Sequence, residues 1–418
     1  MRAQLPSEVW DLIIDYLHND RKSLDACSLT CRAWLRAARY HRFRHVSLSP
    51  KRARGLYRLL YESPGFGHVI KSVELYGRIK LSTAWKDESC LFLAALPALS
   101  KLKLSHMTLS GSVLTNITDL RISSLKHISI RRCGLPRPHM LGFIEFIASF
   151  RSLESIYIAD MSFHATDPMS PIDPPRPPPN VRSLAFGSPM DAPQLLFDWL
   201  TASEHRIESF SYQITSGDDV EPLQHMLTTI GPTLTQLNLH IDTDTALDRI
   251  FAGHAFTLAP CTALRTCRLA LSLPEMCVPA NNSLRWVHRI LSQLAAPGLA
   301  HLALSICADA MDNFGALASE CAVHQVSLVP FRDLFALDWV VIGEVMCRPA
   351  FESLRQFVLE GRGQPELLDA FVKKRCPEFH ARGILEYRVM GEFVGSTVDL
   401  SDNELAPMPT TIQLEWDW

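Results

Sequence analysis

A six-residue apolar unit, Φ-x-x-Φ-x-Φ, recurs along the chain, and its spacing restricts the available folds more than any other feature. It occurs at Phe43/Val46/Leu48, Ile70/Val73/Leu75, Leu99/Leu102/Leu104, Leu125/Ile128/Ile130, Leu153/Ile156/Ile158 and Val181/Leu184/Phe186. It continues at Ile207/Phe210/Tyr212, Leu234/Leu237/Leu239, Leu264/Cys267/Leu269, Leu299/Leu302/Leu304, Val323/Val326/Leu328 and Leu354/Phe357/Leu359. Middle residues follow one another at intervals of 27, 29, 26, 28, 28, 26, 27, 30, 35, 24 and 31. Apolar residues two apart share one side of a strand, and the residue between them points to the other. Helical periodicity fills the intervals, as at 87–96, 139–150, 192–202, 220–230, 283–295, 332–346 and 366–374. A strand and helix repeating at a period near 28 cannot bury an apolar side alone, so the units must stack. The expectation is an α/β array of about 12 strand–helix units over residues 46–390.

This unit resembles the leucine-rich repeat over roughly 43–390, in a degenerate form. The family's Asn or Cys after the triplet stands only at Cys133 and Cys307; elsewhere the position holds residues such as Met107, Met161, Thr215 and Asp242. An irregular solenoid without a regular buried Asn ladder is therefore what the resemblance implies, and an ordinary α/β domain with unequal strands is the alternative. The residues expected on the open side of the strands are Glu74, Lys103, Ser129, Tyr157, Ala185, Ser211, Asn238, Arg268, Ala303, Ser327 and Val358. Their mixed charge and size suit an unknown protein target better than a polyanion. Lys103, Tyr157, Asn238 and Arg268 are the candidate target contacts, because Tyr and Arg are favoured as interface anchors. For each of them the alternative is a solvated strand position. The stretch 167–179 holds seven prolines in thirteen residues and reads as a stiff, extended surface loop, either a plain linker or a docking ligand.

Residues 1–45 read as three short helices, the first from Pro6-Ser7 to about Leu17, the second near 20–28 and the third near 30–40. Ser7 is a candidate N-cap. Leu5, Val9, Trp10, Leu12, Ile13, Ile14, Tyr16 and Leu17 leave the first helix apolar almost all round. Such a helix expects burial on more than one side, and some forty residues make too small a core to supply it. The motif Leu5-Pro6-x-Glu8-Val9-x3-Ile13-Ile14-x2-Leu17, then Leu24, Cys27 and Thr30-Cys31-Arg32-x-Trp34, resembles the F-box, most of all its fungal type. Two departures are a longer link at 18–23 and Phe43 near the place of a second Trp. The resemblance implies that Leu5, Pro6, Val9, Ile13, Ile14, Leu17, Leu24, Cys31 and Trp34 contact a Skp-type adaptor or support the residues that do. It further implies a substrate-recognition subunit of an SCF (cullin–RING) E3 ubiquitin ligase, joined through the adaptor to cullin and RING. A Skp-bound scaffold that delivers no target, or simply a small domain's core, is the alternative.

Net charge is −3, yet residues 1–61 carry 12 Lys/Arg against 5 Asp/Glu. A basic run of this kind suits either a solvated helix face or an acidic partner. It matches no nucleic-acid motif and has little aromatic interleaving along the sequence, so nucleic acid is not the expected partner. Eleven cysteines without regular spacing read as small buried hydrophobes of a reducing compartment. The sequence contains no phosphate loop, nucleophile elbow, H-E-x-x-H or metal-ligand spacing, so neither catalysis, metal nor cofactor is expected. No apolar signal core opens the chain and no run of eighteen apolar residues exists, which points to a cytoplasmic or nuclear protein. Residues 391–418 lack the repeat and read as a cap or tail.

Overall fold

The structure is a computed structural model that describes residues 6–18, 20–77, 87–135, 140–163, 174–187, 193–202, 206–242, 256–273, 284, 286–308, 337–361 and 373–389. It divides into two compact units, meeting in sequence at Cys133/Gly134.

The first unit opens with helices α1 (Ser7–Tyr16), α2 (Arg21–Thr30) and α3 (Arg32–Arg44). Pro6, not Ser7, takes the N-cap position of α1; it offers no side-chain acceptor, and Val9 and Trp10 donate instead to its carbonyl. Asp20 caps α2, accepting from Ser23 N at 3.1 Å and Ser23 Oγ at 2.6 Å. α3 closes on His41, Arg42 and Arg44, where positive charge complements the helix C-terminus. Four strands follow in parallel: β1 (His45–Leu48), β2 (Ser72–Tyr76), β3 (Lys101–Ser105) and β4 (His127–Arg131). Their register aligns Val46, Val73, Leu102 and Ile128 in one row and Leu48, Leu75, Leu104 and Ile130 in the next. The connections are α4 (Pro50–Glu62), two 3-10 segments at Pro64–His68 and Asp87–Ala95, and α5 (Gly111–Asp119). Ala53, Leu56 and Leu60 give α4 a buried stripe at helical spacing.

The second unit repeats the plan. Its strands are β6 (Ser155–Ala159), β8 (Ser183–Phe186), β9 (Ser209–Ile214), β10 (Gln236–Asp242), β11 (Thr266–Leu273), β12 (His301–Ala308), β13 (Gln356–Gly361) and β14 (Leu385–Val389). These run parallel in sequence order, and a two-residue ladder joins β5 (Gly134–Leu135) to β7 (Ser162–Phe163). One row runs Ile156, Leu184, Phe210, Leu237, Cys267, Leu302, Phe357, Leu385. The connections include α6 (Met140–Ala148), α7 (Pro193–Thr201), α8 (Val220–Ile230) and helices at Trp286–Ser292 and Trp339–Met346. Stacked parallel strands with helical returns are thus the α/β plan that the 28-residue period implies.

The period misplaces one unit and misses another. β12 pairs directly with β13, Leu302 opposite Phe357, so the triplet Val323/Val326/Leu328 is no rung between them; its residues lie outside those described. β14 is an unexpected rung, 28 residues beyond Phe357. Its first apolar position is occupied by Arg382, whose guanidinium donates to the carbonyls of Phe351 at 2.9 Å and Met346 at 3.3 Å. Three turns after strands share a left-handed residue, His106, Arg132 and Asp160, each just before a buried side chain: Met107, Cys133, Met161. Cys133 stands where the repeat's Asn or Cys is expected, its thiol directed at the carbonyls of Arg131 (3.2 Å) and Leu104 (3.5 Å), and burial pushes its pKa up to about 11. Met107 and Met161 fill the same place with apolar bulk.

Candidate functional site

Three helices position the first candidate surface. Ile14, Leu24, Cys27 and Ala38 form a buried cluster, with Leu17, Trp34 and Ala37 packed against it. Trp10 lies 4.9 Å from Trp34, the His41 Nε2 meets Asp15 Oδ1 at 2.6 Å, and Arg42 pairs with Asp25, tying α3 to both preceding helices. This core consumes little of the apolar surface of α1. Ile13 keeps 43% of its area exposed, Leu12 67%, Tyr16 88% and, on α2, Leu29 87%. An apolar set this exposed on a small helical unit marks an interaction surface.

The nine residues expected at an adaptor divide accordingly. Ile13, Pro6 and Cys31 are exposed and Val9 is half-buried. Ile14 and Leu24 are wholly internal, and Leu17 and Trp34 support them. Leu5 lies outside the described residues. Leu12, Tyr16 and Leu29 are exposed as well, as is Tyr40 on α3. An all-round apolar helix signals that such residues exist, but which of them face outward depends on where α2 and α3 pack. Cys27 is buried as expected and Cys31 is not.

In each unit, taken by itself, the strand face opposite the core is a further candidate surface. In the first unit this side carries His45, Lys101 and His127 in one row, Ser47, Glu74, Lys103 and Ser129 in the next, then Tyr76, Ser105 and Arg131. Glu74 accepts from Ser47 Oγ at 3.0 Å and Ser105 Oγ at 3.2 Å. In the second unit Asn238 and Arg268 are half-buried on that side. Arg268 Nη2 meets Glu360 Oε2 at 2.5 Å and Ser305 Oγ at 3.2 Å, and Ser305 also donates to Glu360, so one charge-assisted network crosses β11, β12 and β13. His240 meets Asp242 at 3.4 Å and Gln213 donates to Asp242 at 3.1 Å. Arg388, and after it Gln356, donate to Glu386, which holds that carboxyl below its ordinary range.

Tyr157 departs from expectation: it points to this side yet is buried, 4% exposed. A β-carbon built on Gly187 would lie 2.8 Å from the Ala159 β-carbon, so the close approach of the chain beside Tyr157 requires glycine there. Ala185 and Val358 are also buried, and Ser327 lies outside the described residues. The candidate contacts that remain accessible are Lys103, Asn238 and Arg268.

The Pro-rich stretch is described only from Pro174, and there it is not a free loop. Pro177 and Pro178 are buried, and Trp199 Nε1 of α7 donates to the Pro175 carbonyl at 2.6 Å. On α4 the basic run exposes Lys51, Arg54 and Arg58 beside Tyr57 and Tyr61, an interleaving that appears only once the residues are wound on a helix. Residues 243–248 and 391–418 lie outside the described residues. Among the described residues no group of three or more His, Cys, Asp or Glu could hold a metal, and no helix is long and apolar enough to cross a membrane.

No family model matches the sequence, and no curated protein matches it. The crystal structure of an internalin (inlF) from Listeria monocytogenes str. 4b F2365 is similar over 64% of this chain and 92% of its own, at 12% identity. Its TM-score is 0.21, too low for the likeness to carry any argument.

Proposed function

We propose that the chain is the substrate-recognition subunit of an SCF-type (cullin–RING) E3 ubiquitin ligase. The N-terminal helices act as an F-box that docks a Skp-type adaptor, and through it cullin and RING, while the open strand faces hold a protein target. The observation that carries this reading is the exposure of Leu12, Ile13, Tyr16 and Leu29 on a helical unit whose core is already supplied by Ile14, Leu24, Cys27 and Ala38. Water-exposed apolar area of this kind is stabilised by a partner's apolar surface. The chain itself supplies no catalytic group. It raises the effective concentration of target lysines near the charged conjugating enzyme, which is catalysis by proximity. Such a subunit works in the cytoplasm or nucleus.

The test is co-purification of the full chain, and of a Leu12→Asp/Ile13→Asp variant, with Skp-type adaptor and cullin. Capture by the unaltered chain and loss in the variant is the expected result. No capture by either would withdraw the reading. Capture of the adaptor without ubiquitination of any bound protein would leave a non-degradative scaffold.

A further inference from the structure

Helix α4 has a well-formed inner side and an outer side that works against the helix. Ala53, Leu56 and Leu60 are buried within about 60° of its circumference. Lys51, Arg54, Tyr57, Arg58 and Tyr61 are exposed and fall within a separate arc of about 120°. On that arc Lys51 precedes Arg54 by three residues and Arg54 precedes Arg58 by four, spacings at which like charges repel. No acidic residue stands in the first turn, where the helix dipole favours one, and the Ser49 side chain makes no cap. Gly55, beside the same arc, has open space around it and lacks the helix propensity that Ala would supply. Glu62, the helix's one carboxylate, comes only at its last residue. A sequence that obeys helix rules inward and breaks them outward marks the outward side as functional.

The tyrosines narrow the chemistry of what could cover it. Tyr57 and Tyr61 keep 49% and 83% of their area in water. Tyr57 follows Arg54 by three residues and Tyr61 follows Arg58 by three, so each ring neighbours a guanidinium on the helix surface. Among the described residues no ion pair holds Lys51, Arg54 or Arg58. Cations and flat rings alternating on one open stripe match a polyanion whose own flat groups are free to stack. That is a single-stranded nucleic acid, whose phosphates meet cations while its unstacked bases lie on aromatic rings. A duplex keeps its bases stacked within itself and leaves such rings unused. A membrane surface needs an apolar face, and that side of α4 is already buried in the unit, Leu59 apart.

We propose that the outer side of α4 binds single-stranded nucleic acid, with Lys51, Arg54 and Arg58 on phosphates and Tyr57 and Tyr61 under bases. From Lys51 to Tyr61 the stripe rises about 15 Å, enough for a few nucleotides. The contacts are to backbone and base faces, so the site tolerates any base sequence. The order of residues along the chain points away from this partner, because only the wound helix brings the rings between the cations. The adaptor reading is independent of this one, since neither α1 nor α2 takes part, and each stands or falls by its own experiment.

Fluorescence anisotropy of the full chain with labelled oligo(U) and oligo(dT), each of about 12 nucleotides, tests this. Three phosphate contacts on a single strand give a salt slope near −2, so raising salt from about 50 to 200 mM should weaken binding roughly 20-fold. Tyr57→Ala/Tyr61→Ala should weaken it at least about tenfold with that slope unchanged, and Tyr57→Phe/Tyr61→Phe should restore it. Lys51→Gln/Arg54→Gln/Arg58→Gln should remove both the binding and its salt dependence. Arg32→Gln/Arg36→Gln/Arg39→Gln, which alters three exposed arginines on α3, should weaken binding far less. The Phe pair keeps loss of stacking distinct from loss of folding, and matching melting temperatures do the same for the charge variants. No binding at low salt, equal binding of a duplex, indifference to the tyrosines, or equal loss in the α3 variant overturns the proposal. So does a poly-glutamate peptide that displaces the oligonucleotide at equal charge, since the stripe would then be a site for acidic protein segments.

Discussion

Ile13 and Ile14 are chain neighbours with opposite surroundings, and substituting each by Ala separates the surface of the helical unit from its core. Ile14 is wholly buried beside Leu24, Cys27 and Ala38. Truncating such a residue removes its transfer energy and leaves a cavity, about 2–5 kcal/mol in total. For a unit of this size each kcal/mol lowers Tm by roughly 3–5 °C, so Ile14→Ala should lower it by at least about 6 °C. Ile13 keeps 43% of its surface in water. Full burial of an isoleucine is worth roughly 1.5–3 kcal/mol, so a partner that covered the remaining area would gain about 0.6–1.3 kcal/mol from it. That is roughly a threefold to ninefold change in adaptor Kd for Ile13→Ala. Ile13→Asp adds an unpaired carboxylate to an apolar contact and should abolish binding within the measurable range. Calorimetric melting and titration with a Skp-type adaptor give both quantities on the same samples. If Ile13→Ala lowers Tm as much as Ile14→Ala, the division into core and surface is wrong; if Ile13→Asp binds the adaptor normally, the docking argument fails.

Three further outcomes follow from the packing. Tyr212→Phe keeps the ring stacked on Phe210 but removes the hydroxyl donated to buried Asp219 Oδ1 at 3.0 Å, so stability should fall by about 1.5–3 kcal/mol in urea titrations. Burial, then Asp219, hold the Tyr212 pKa above its ordinary value of 10.0; its contribution is whole below that pH and is lost as pH rises past it, a slope the Phe variant should lack. Gly231 and Gly142 should respond to Ala with opposite signs in thermal melts. A β-carbon at Gly231 would meet the Pro260 backbone at 2.9 Å and destabilise by about 1–3 kcal/mol, whereas Gly142 in α6 has open space and should gain up to about 1 kcal/mol. Burial raises Cys133 to about 11 and Cys261, Cys267 and Cys376 to about 12, so at neutral pH a maleimide should label exposed Cys31 and Cys347 and leave those four unmodified until the chain unfolds.

The strand rows were legible in the sequence because side-chain direction alternates with a period of two, and a buried row needs apolar residues at fixed spacing. Val46, Val73, Leu102 and Ile128 declare their register by that rule alone. The rule fails where another interaction substitutes for burial. Arg382 begins the last rung by satisfying two carbonyls, which no count of apolar residues detects. It fails in the other direction at Val323/Val326/Leu328, since an apolar triplet in a long connection looks the same as a rung.

Exposure is harder to read than direction, and binding depends on exposure. Lys103 and Tyr157 occupy equivalent positions, yet the lysine is half-buried and the tyrosine is covered. Both point away from the core, so the pleat alone does not separate them. The same holds on α1: Ile13 and Ile14 lie about 100° apart around the helix, so the pattern alone leaves either free to face the core, and only the packed position of Leu24 and Ala38 decides between them. Direction is a property of one element, and exposure is a property of what packs beside it. A binding surface inferred from one chain's pattern therefore holds best where the side chain is long and charged, as at Lys103 and Arg268, because burying such a group requires a partner the structure must supply. For Arg268 that partner is Glu360, and a target reaching this part of the sheet must either add to the Arg268–Ser305–Glu360 network or break it.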